Sequence, residues 1–135
     1  MKNAVPVELP CACVVLNEPV LRVKIADVLT RYGYAIAGPF ERWSDAAGFV
    51  GTGRPDAAVL DFSVREAECL KIARRLVSAA VPLVFYAAPE ELKGVPADLK
   101  GVPFIAKPDR EFLVLKRLST LHNERLMRRL LNPEI

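Results

Sequence analysis

Five short apolar runs alternate along the chain with segments of helical or turn-like pattern. The runs are residues 11–16, 34–39, 56–61, 82–87 and 102–107, and each has the length of a strand. The first, third and fourth are almost continuously apolar, as in strands that helices cover on both faces. This alternation predicts a doubly wound α/β domain with a parallel sheet and right-handed crossovers.

The first helix has the clearest boundaries in the sequence. Asn17 is predicted to cap it, Pro19 lies in its first turn, and Gly33 ends it. Its apolar face is expected to contain Leu21, Ile25, Val28, Leu29 and Tyr32.

The next three helical segments differ in regularity. Ser44, behind Trp43, is predicted to cap a second helix that ends near Gly51, and residues 65–80 are predicted to form a third. The inward face of the third is expected to contain Leu70, Ala73, Leu76 and Val77. Prolines and glycines interrupt residues 88–101, "APEELKGVPADLKG", so the fourth helix is predicted to be short and irregular.

A long last helix is predicted from about residue 109 to residue 131. Its sheet-facing residues are expected to be Phe112, Leu115, Leu118 and either Leu121 or His122. Four apolar residues continue past them, namely Leu126, Met127, Leu130 and Leu131. They favour a homodimer or partner interface, and the alternative is a frayed amphipathic tail. We therefore divide the chain into an N-terminal extension (1–10), a domain (11–121) and a helical extension (122–135).

Composition limits the setting. The chain has 135 residues, of which 52% are hydrophobic, enough for one substantial core. No apolar stretch approaches the roughly 20 residues that span a bilayer, and the N-terminus has no secretory pattern. We expect a cytoplasmic protein that does not contact a membrane.

The net charge of +3 is small, but the basic residues are concentrated near the C-terminus. Those after residue 109 are Arg110, Lys116, Arg117, Arg125, Arg128 and Arg129. A basic helix of this kind could bind nucleic acid through its phosphates. No helix-turn-helix pattern or stacking aromatic accompanies it, so nucleic acid is a less favoured partner than protein.

The three cysteines and the single histidine offer little chemistry. Cys11 and Cys13 lie two residues apart and Cys69 is distant, a pattern that lacks the four ligands zinc prefers. We expect the cysteines to pack as small apolar residues. His122 lies far in sequence from any nucleophile, so a catalytic triad is not predicted.

Two charged residues end strands of the predicted sheet. Asp61 follows the buried run of the third strand, and Lys107 ends the fifth. Each alone has an ordinary structural explanation, as a turn or helix-capping aspartate and as a solvated lysine. Because the carboxyl ends of parallel strands meet at one edge, the two together predict an ion pair at the usual ligand site of such a sheet.

The span from about Cys11 to Leu121 resembles the receiver domain of bacterial two-component response regulators. The resemblance rests on "VVLNEP", "RYGYAIAGP", "RPDAAVLD", "VPLVFYAA" and "PFIAKP". It implies a flavodoxin-like fold with strand order 2-1-3-4-5, and a non-enzymatic protein that accepts a phosphoryl group from a histidine kinase. Asp61 matches the phosphoacceptor and Lys107 matches the lysine that contacts the phosphoryl oxygens.

Several positions depart from the receiver pattern. Receivers carry an acidic pair that holds Mg²⁺ where this chain has Leu16 and Asn17. The remaining metal candidates are Asn17, Asp61 and Glu18, and Glu18 is expected to point elsewhere from the first turn of the helix. The switch hydroxyl is replaced by Ala87, whereas Phe104 matches the switch aromatic in size.

We interpret the chain as a stand-alone, atypical receiver-like domain that acts by binding a histidine kinase or another signalling protein. Lys107 is then expected to pair directly with Asp61, without cofactor, and Mg²⁺ enters only if phosphorylation is retained. One alternative is a functional receiver phosphorylated at Asp61. Others are an unrelated flavodoxin-like domain and the basic nucleic-acid-binding helix.

Overall fold

A five-stranded sheet with helices on both faces forms the body of the molecule. The computed structural model describes residues 9–53, 55–62, 67–107 and 111–131. The strands are β1 (Cys11–Val15), β2 (Ala35–Phe40), β3 (Ala57–Leu60), β4 (Leu83–Ala87) and β5 (Phe104–Ala106). The helices are α1 (Pro19–Arg31), α2 (Trp43–Thr52), α3 (Ala67–Ser78), α4 (Pro89–Leu92) and α5 (Glu111–Leu131).

All strand pairs are parallel, and the strand order is β2-β1-β3-β4-β5. This confirms the predicted doubly wound sheet and its order. The order places β1 and β3 side by side at the centre, while β5 lies at one edge beyond β4. Because all the strands are parallel, the carboxyl ends of β1, β3 and β5 lie along the same boundary of the sheet, the one at which the strands end.

Alternate residues of the central strands enter two separate cores, as the pleat requires. On one face, Cys13, Leu60 and Phe85 pack with buried residues of α2 and α3. On the other face, Val14 and Tyr86 pack with buried residues of α1 and α5. Because helices cover both faces, β1, β3 and β4 are almost entirely apolar in sequence.

The start of α1 differs from the prediction. The cap is Glu18 in an extended conformation (φ −85°, ψ 121°), and not Asn17, and the Glu18 side chain makes no capping hydrogen bond to the helix backbone. Pro19 occupies the first helical position, so the preceding residue is held extended and becomes the boundary. Gly33, at φ 94°, ends the helix as predicted.

Other local predictions also need correction. Helix α2 begins at Trp43 with Arg42 as its cap, so Ser44 lies inside the helix. Three residues predicted to face the core, Tyr32, Val77 and Phe112, are exposed. All three lie at helix ends, where a helix faces less of the sheet, and the rings of Tyr32 and Phe112 contact each other edge to face at 6.3 Å.

The segment between β4 and β5 is irregular, as predicted. It contains the single-turn helix α4 and a 3₁₀ turn over Ala97–Leu99. Pro82 directly precedes β4, and Pro103 directly precedes the edge strand β5, so neither interrupts a ladder. The predicted start of α3 at residues 65–66 and the first residues of the predicted last helix, 109 and 110, lie outside the described residues.

Helix α5 changes character along its length. Val114, Leu115, Leu118 and His122 are buried, whereas Leu126, Met127, Leu130 and Leu131 are exposed. Only the first part of the helix therefore packs on the sheet. None of the helices within the described ranges is both long and apolar enough to cross a membrane.

His122 is the last buried residue of α5 and contacts Tyr34, the residue directly before β2. Its Nδ1 lies 3.1 Å from the hydroxyl of Tyr34, within hydrogen-bond distance. Burial lowers the pKa of His122 below its ordinary value of 6.5, and the positive charges of Arg125 and Arg129 lower it further against an opposing effect of Asp56. The lowered pKa favours the neutral form of the His122 imidazole in the folded protein.

The lowered pKa of His122 predicts acid-sensitive stability. The unfolded chain binds the proton first, so this contribution to stability is present above pH 6.5 and is lost as the pH falls through the folded-state pKa. Thermal unfolding is measured at a series of pH values from 8 to 5. The midpoint temperature of unfolding should decrease once the pH is below about 6.5. The variant His122→Gln should flatten that slope, and an unchanged slope would contradict the assignment.

Candidate functional site

The charged residues predicted at the strand ends do meet at one edge of the sheet. The backbone N–H of Asp61 donates to Val15 O at 2.8 Å, and that of Lys107 donates to Ala87 O at 2.8 Å. Each residue thus adds one further backbone hydrogen bond to the neighbouring strand, directly after its own strand ends. Their backbone positions are fixed by the sheet and not by a free loop.

The ammonium of Lys107 makes the central contacts of the site. Its Nζ donates to Asp61 Oδ2 at 2.6 Å and to Glu18 Oε1 at 3.1 Å. It also lies 5.9 Å from the centroid of the buried Tyr86 ring. The Lys107 and Asp61 side chains are only 9% and 16% exposed, so this pair is largely removed from water.

Glu18 joins this site, contrary to the prediction that it points elsewhere. The extended conformation of this cap residue directs its side chain toward Lys107 and away from the turns of α1. Its side chain is 59% exposed, so it forms the solvent side of the cluster. The sequence signal was present, since Pro19 fixes the residue before it as the boundary of the helix.

The two positions that match the receiver acidic pair have different surroundings. Leu16 is fully buried in the core beneath α1 and α5, and the Arg22 guanidinium donates to its carbonyl oxygen at 2.9 Å. Asn17 is exposed and contributes its backbone N–H, which lies 3.3 Å from Asp61 Oδ2. Asp61 Oδ2 therefore accepts from both Lys107 and Asn17.

The two positions that match the receiver switch residues, Ala87 and Phe104, differ in burial and in side-chain chemistry. Ala87 ends β4 and is fully buried, with no hydroxyl to reach the site. Phe104 begins β5, pairs in register with Phe85 and has an exposed side chain. The structure thus has an exposed aromatic residue at one switch position and no hydroxyl at the other, Ala87.

A pocket of about 570 Å³ opens over the charged cluster. Beyond Asp61, Lys107 and Glu18, its lining includes Arg42 and Trp43 from the start of α2. Neither of these two residues was predicted to belong to the site. The signal available was their position directly after β2, whose carboxyl end meets the same edge of the sheet.

The cysteines have the packing expected of small apolar residues. Cys13 and Cys69 are buried, and Cys11 is half-buried. Burial raises the pKa of Cys13 to about 12, with a smaller contribution from Cys11. Cys13 is therefore a protonated core residue with little nucleophilic character at neutral pH.

Comparison with known proteins rests on structure. No family model and no curated protein matches the chain by sequence. A response regulator receiver protein from Sinorhizobium medicae WSM419 superposes with a TM-score of 0.71 at 21% identity, over 87% of this chain and 98% of its own. The signal receiver domain of a modulated diguanylate cyclase from Desulfovibrio desulfuricans G20 gives 0.70 at 21% identity, over 89% and 98%.

The chain has the fold of response regulator receiver domains. A receiver protein from Burkholderia phymatum gives the same result, with a TM-score of 0.68 at 21% identity over 84% of this chain and 95% of its own. Each match covers nearly the whole of the compared chain. The receiver fold here is therefore complete in its strands and not a partial likeness.

The donor set at this edge of the receiver fold is poorly matched to Mg²⁺. Mg²⁺ favours near-octahedral oxygen ligation with carboxylates among its ligands. Leu16 supplies no side-chain donor, and Asp61 Oδ2 already accepts from an ammonium. Among the described residues, no group of three or more His, Cys, Asp or Glu side chains is placed to hold a metal ion.

Placing an acidic residue at position 16, the first position that matches the receiver acidic pair, should destabilise the folded protein. Leu16→Asp would place a carboxylate in a fully buried apolar cluster, so we expect a loss of unfolding free energy of more than about 3 kcal/mol. Asn17→Asp, at the exposed neighbouring position, should cost about 1 kcal/mol or less. Urea unfolding measures both, and near-native stability of Leu16→Asp would contradict the core role.

Proposed function

We propose that this chain is a signalling module with the receiver fold that acts by binding other proteins, without Mg²⁺-dependent phosphorylation. The observation that carries the proposal is the 2.6 Å contact between Lys107 Nζ and Asp61 Oδ2. It neutralises and engages one carboxylate oxygen of Asp61, the residue that matches the phosphoacceptor. A histidine kinase or another signalling protein is the expected partner class.

The absence of a coupling hydroxyl supports the same proposal. Phosphoryl transfer relies on positioning and on neutralising charge at the transferring group. A phosphorylation signal also needs a residue that responds to the new group, and Ala87 offers no hydroxyl for this purpose. Asp61 would thus lack both a metal to promote its phosphorylation and a neighbour to report it.

The competing function is a receiver that is still phosphorylated at Asp61. This function is supported by the accessibility of Asp61, because Asp61 lines the pocket and its side chain is 16% exposed. A small phosphodonor could approach the second carboxylate oxygen. The two functions therefore make opposite predictions about a covalent adduct at this residue.

Acetyl phosphate distinguishes the two functions. Incubation with acetyl phosphate and MgCl₂ should leave the intact mass of the protein unchanged, because Lys107 holds Asp61 and the acidic pair is replaced. Phosphorylation would add about 80 Da. The reaction is sampled at several time points by intact-mass spectrometry, and the Asp61→Asn variant is the matched control. An adduct in the native protein that is absent from Asp61→Asn would overturn the proposal.

We further propose that the end of α5 binds a second copy of the chain. Leu126, Met127, Leu130 and Leu131 are all exposed there, which is an uncommon concentration of apolar surface. An antiparallel pairing centred between Leu126 and Met127 would bring Glu124 of each copy opposite Arg129 of the other. The apolar contact between the two copies would then be flanked by ion pairs between Glu124 of one copy and Arg129 of the other.

Charge substitution tests this association. Leu130→Glu combined with Leu131→Glu should lower the mass in solution from dimer to monomer, since two buried apolar contacts per copy become charged. Light scattering across a concentration series is the measurement. Lys116→Glu, which is exposed on an earlier turn of α5, controls for added negative charge. A native protein that is already monomeric at every concentration would contradict the dimer.

A further inference from the structure

A second pocket lies at the opposite boundary of the sheet from the charged cluster, where β4 and β5 begin. It has a volume of about 270 Å³ and lies between the end of α3 and the later turns of α5. Leu121, Arg125 and Arg128 line it from α5, and Val77 lines it from α3. We call it the α3–α5 groove. The structure thus places two of the C-terminal arginines on one defined surface.

Much of the α3–α5 groove is apolar. Its lining includes buried Val81 and Leu83, half-buried Val102 and Leu121, and exposed Val77. Val77 is 43% exposed, so part of this apolar surface faces solvent. A ligand with an aliphatic side chain would remove that surface from water, which favours binding.

Two arginines give the same groove a positive charge. Neither the Arg125 nor the Arg128 guanidinium forms an ion pair with any residue that the structure describes. Asp98 also lines the groove, but both of its carboxylate oxygens accept from Arg74, at 2.8 and 3.2 Å. The acid of the groove is therefore engaged by a different arginine.

Arg125 carries its charge in a half-buried position. Burial lowers the pKa of its guanidinium below the ordinary value, and the positive charge of Arg129 lowers it further against an opposing effect of Asp56. A guanidinium stays protonated in proteins, so a charge withdrawn from water in this way is costly without an anion beside it. A carboxylate bound next to Arg125 would reduce that cost.

Resting on the proposed function of a protein-binding module, we infer that the α3–α5 groove binds a peptide segment of a partner protein in which acidic residues flank aliphatic ones. A guanidinium matches a carboxylate with two parallel hydrogen bonds, and the apolar lining accepts the aliphatic side chains. A nucleic acid would supply phosphates but no aliphatic group. Among the described residues, no aromatic side chain lines the groove to stack on a base. The lining therefore favours an acidic peptide.

Titration of the full chain with a defined peptide tests the inference. The peptide acetyl-Glu-Asp-Leu-Val-Asp-Glu-amide is added to isotope-labelled protein, and the backbone amide chemical shifts are followed by NMR. We expect saturable shifts at Gly101, Val102 and Leu121, which line the groove. A peptide with lysines in place of the acids, and another with serines in place of Leu-Val, should give no saturable shift there. Each of them lacks one of the two groups that the groove recognises.

Single substitutions separate the contributions of charge and of apolar surface. Arg125→Gln and Arg128→Gln should each weaken binding about tenfold, because each removes a charge-assisted hydrogen bond. Arg117→Gln removes the same charge from an exposed position of α5 outside the groove and should leave the affinity unchanged. Val77→Asp should abolish binding, because it places a like charge at an exposed position of the lining. Circular dichroism confirms that each variant is folded.

Three outcomes would overturn the inference. They are the absence of a saturable shift with the acidic peptide, binding that survives both groove arginine substitutions, and shifts of the same amides that are larger with a short DNA duplex than with the peptide. None of these readouts involves Asp61. An acetyl phosphate adduct together with intact peptide binding would therefore refute the proposed function alone. Absence of both an adduct and peptide binding would refute the groove assignment alone.

Discussion

The contact between Lys107 and Asp61 depends on every strand between them. Asp61 follows β3 and Lys107 follows β5, so the lysine must reach across the end of β4. Ala87 ends β4 with only a methyl group, and the ammonium lies beside the Tyr86 ring. The ion pair therefore depends on the order β3-β4-β5, which places Asp61 and Lys107 on either side of the end of β4.

The same edge shows how a core and a site compete for one short segment. Residues of β1 alternate between the two cores, and Leu16 extends the apolar layer beneath α1 and α5 by one more position. An acid there would add a ligand to the pocket but remove a buried side chain from the core. Asn17, directly after it, is exposed and contributes through its backbone. At this corner the Leu16 side chain packs in the core and offers no ligand to the pocket.

Periodicity was sufficient for the fold, while the site needed local backbone geometry. The five apolar runs identified all five strands. β1, β3 and β4 are apolar and almost entirely buried, whereas β2 and β5 lie at the two edges of the sheet and are more exposed but still largely apolar in sequence. The Asp61 and Lys107 pair followed from strand ends alone. Glu18 did not, since its direction depends on where α1 begins, and a plausible cap at Asn17 concealed that Pro19 sets the boundary. Tyr32, Val77 and Phe112 were misplaced for a related reason, because helix ends face less of the sheet.

The proposed function limits how the module could carry a signal. A ligand shifts a conformational equilibrium only by its differential affinity for the two states. Lys107 is already bound by Asp61 and Glu18, and position 87 has no hydroxyl that could respond to a modification of Asp61. In the proposed function, information would then depend on whether a partner is present and how tightly it binds. The exposed end of α5 is suited to that role, because it lies beyond the last residue that packs on the sheet.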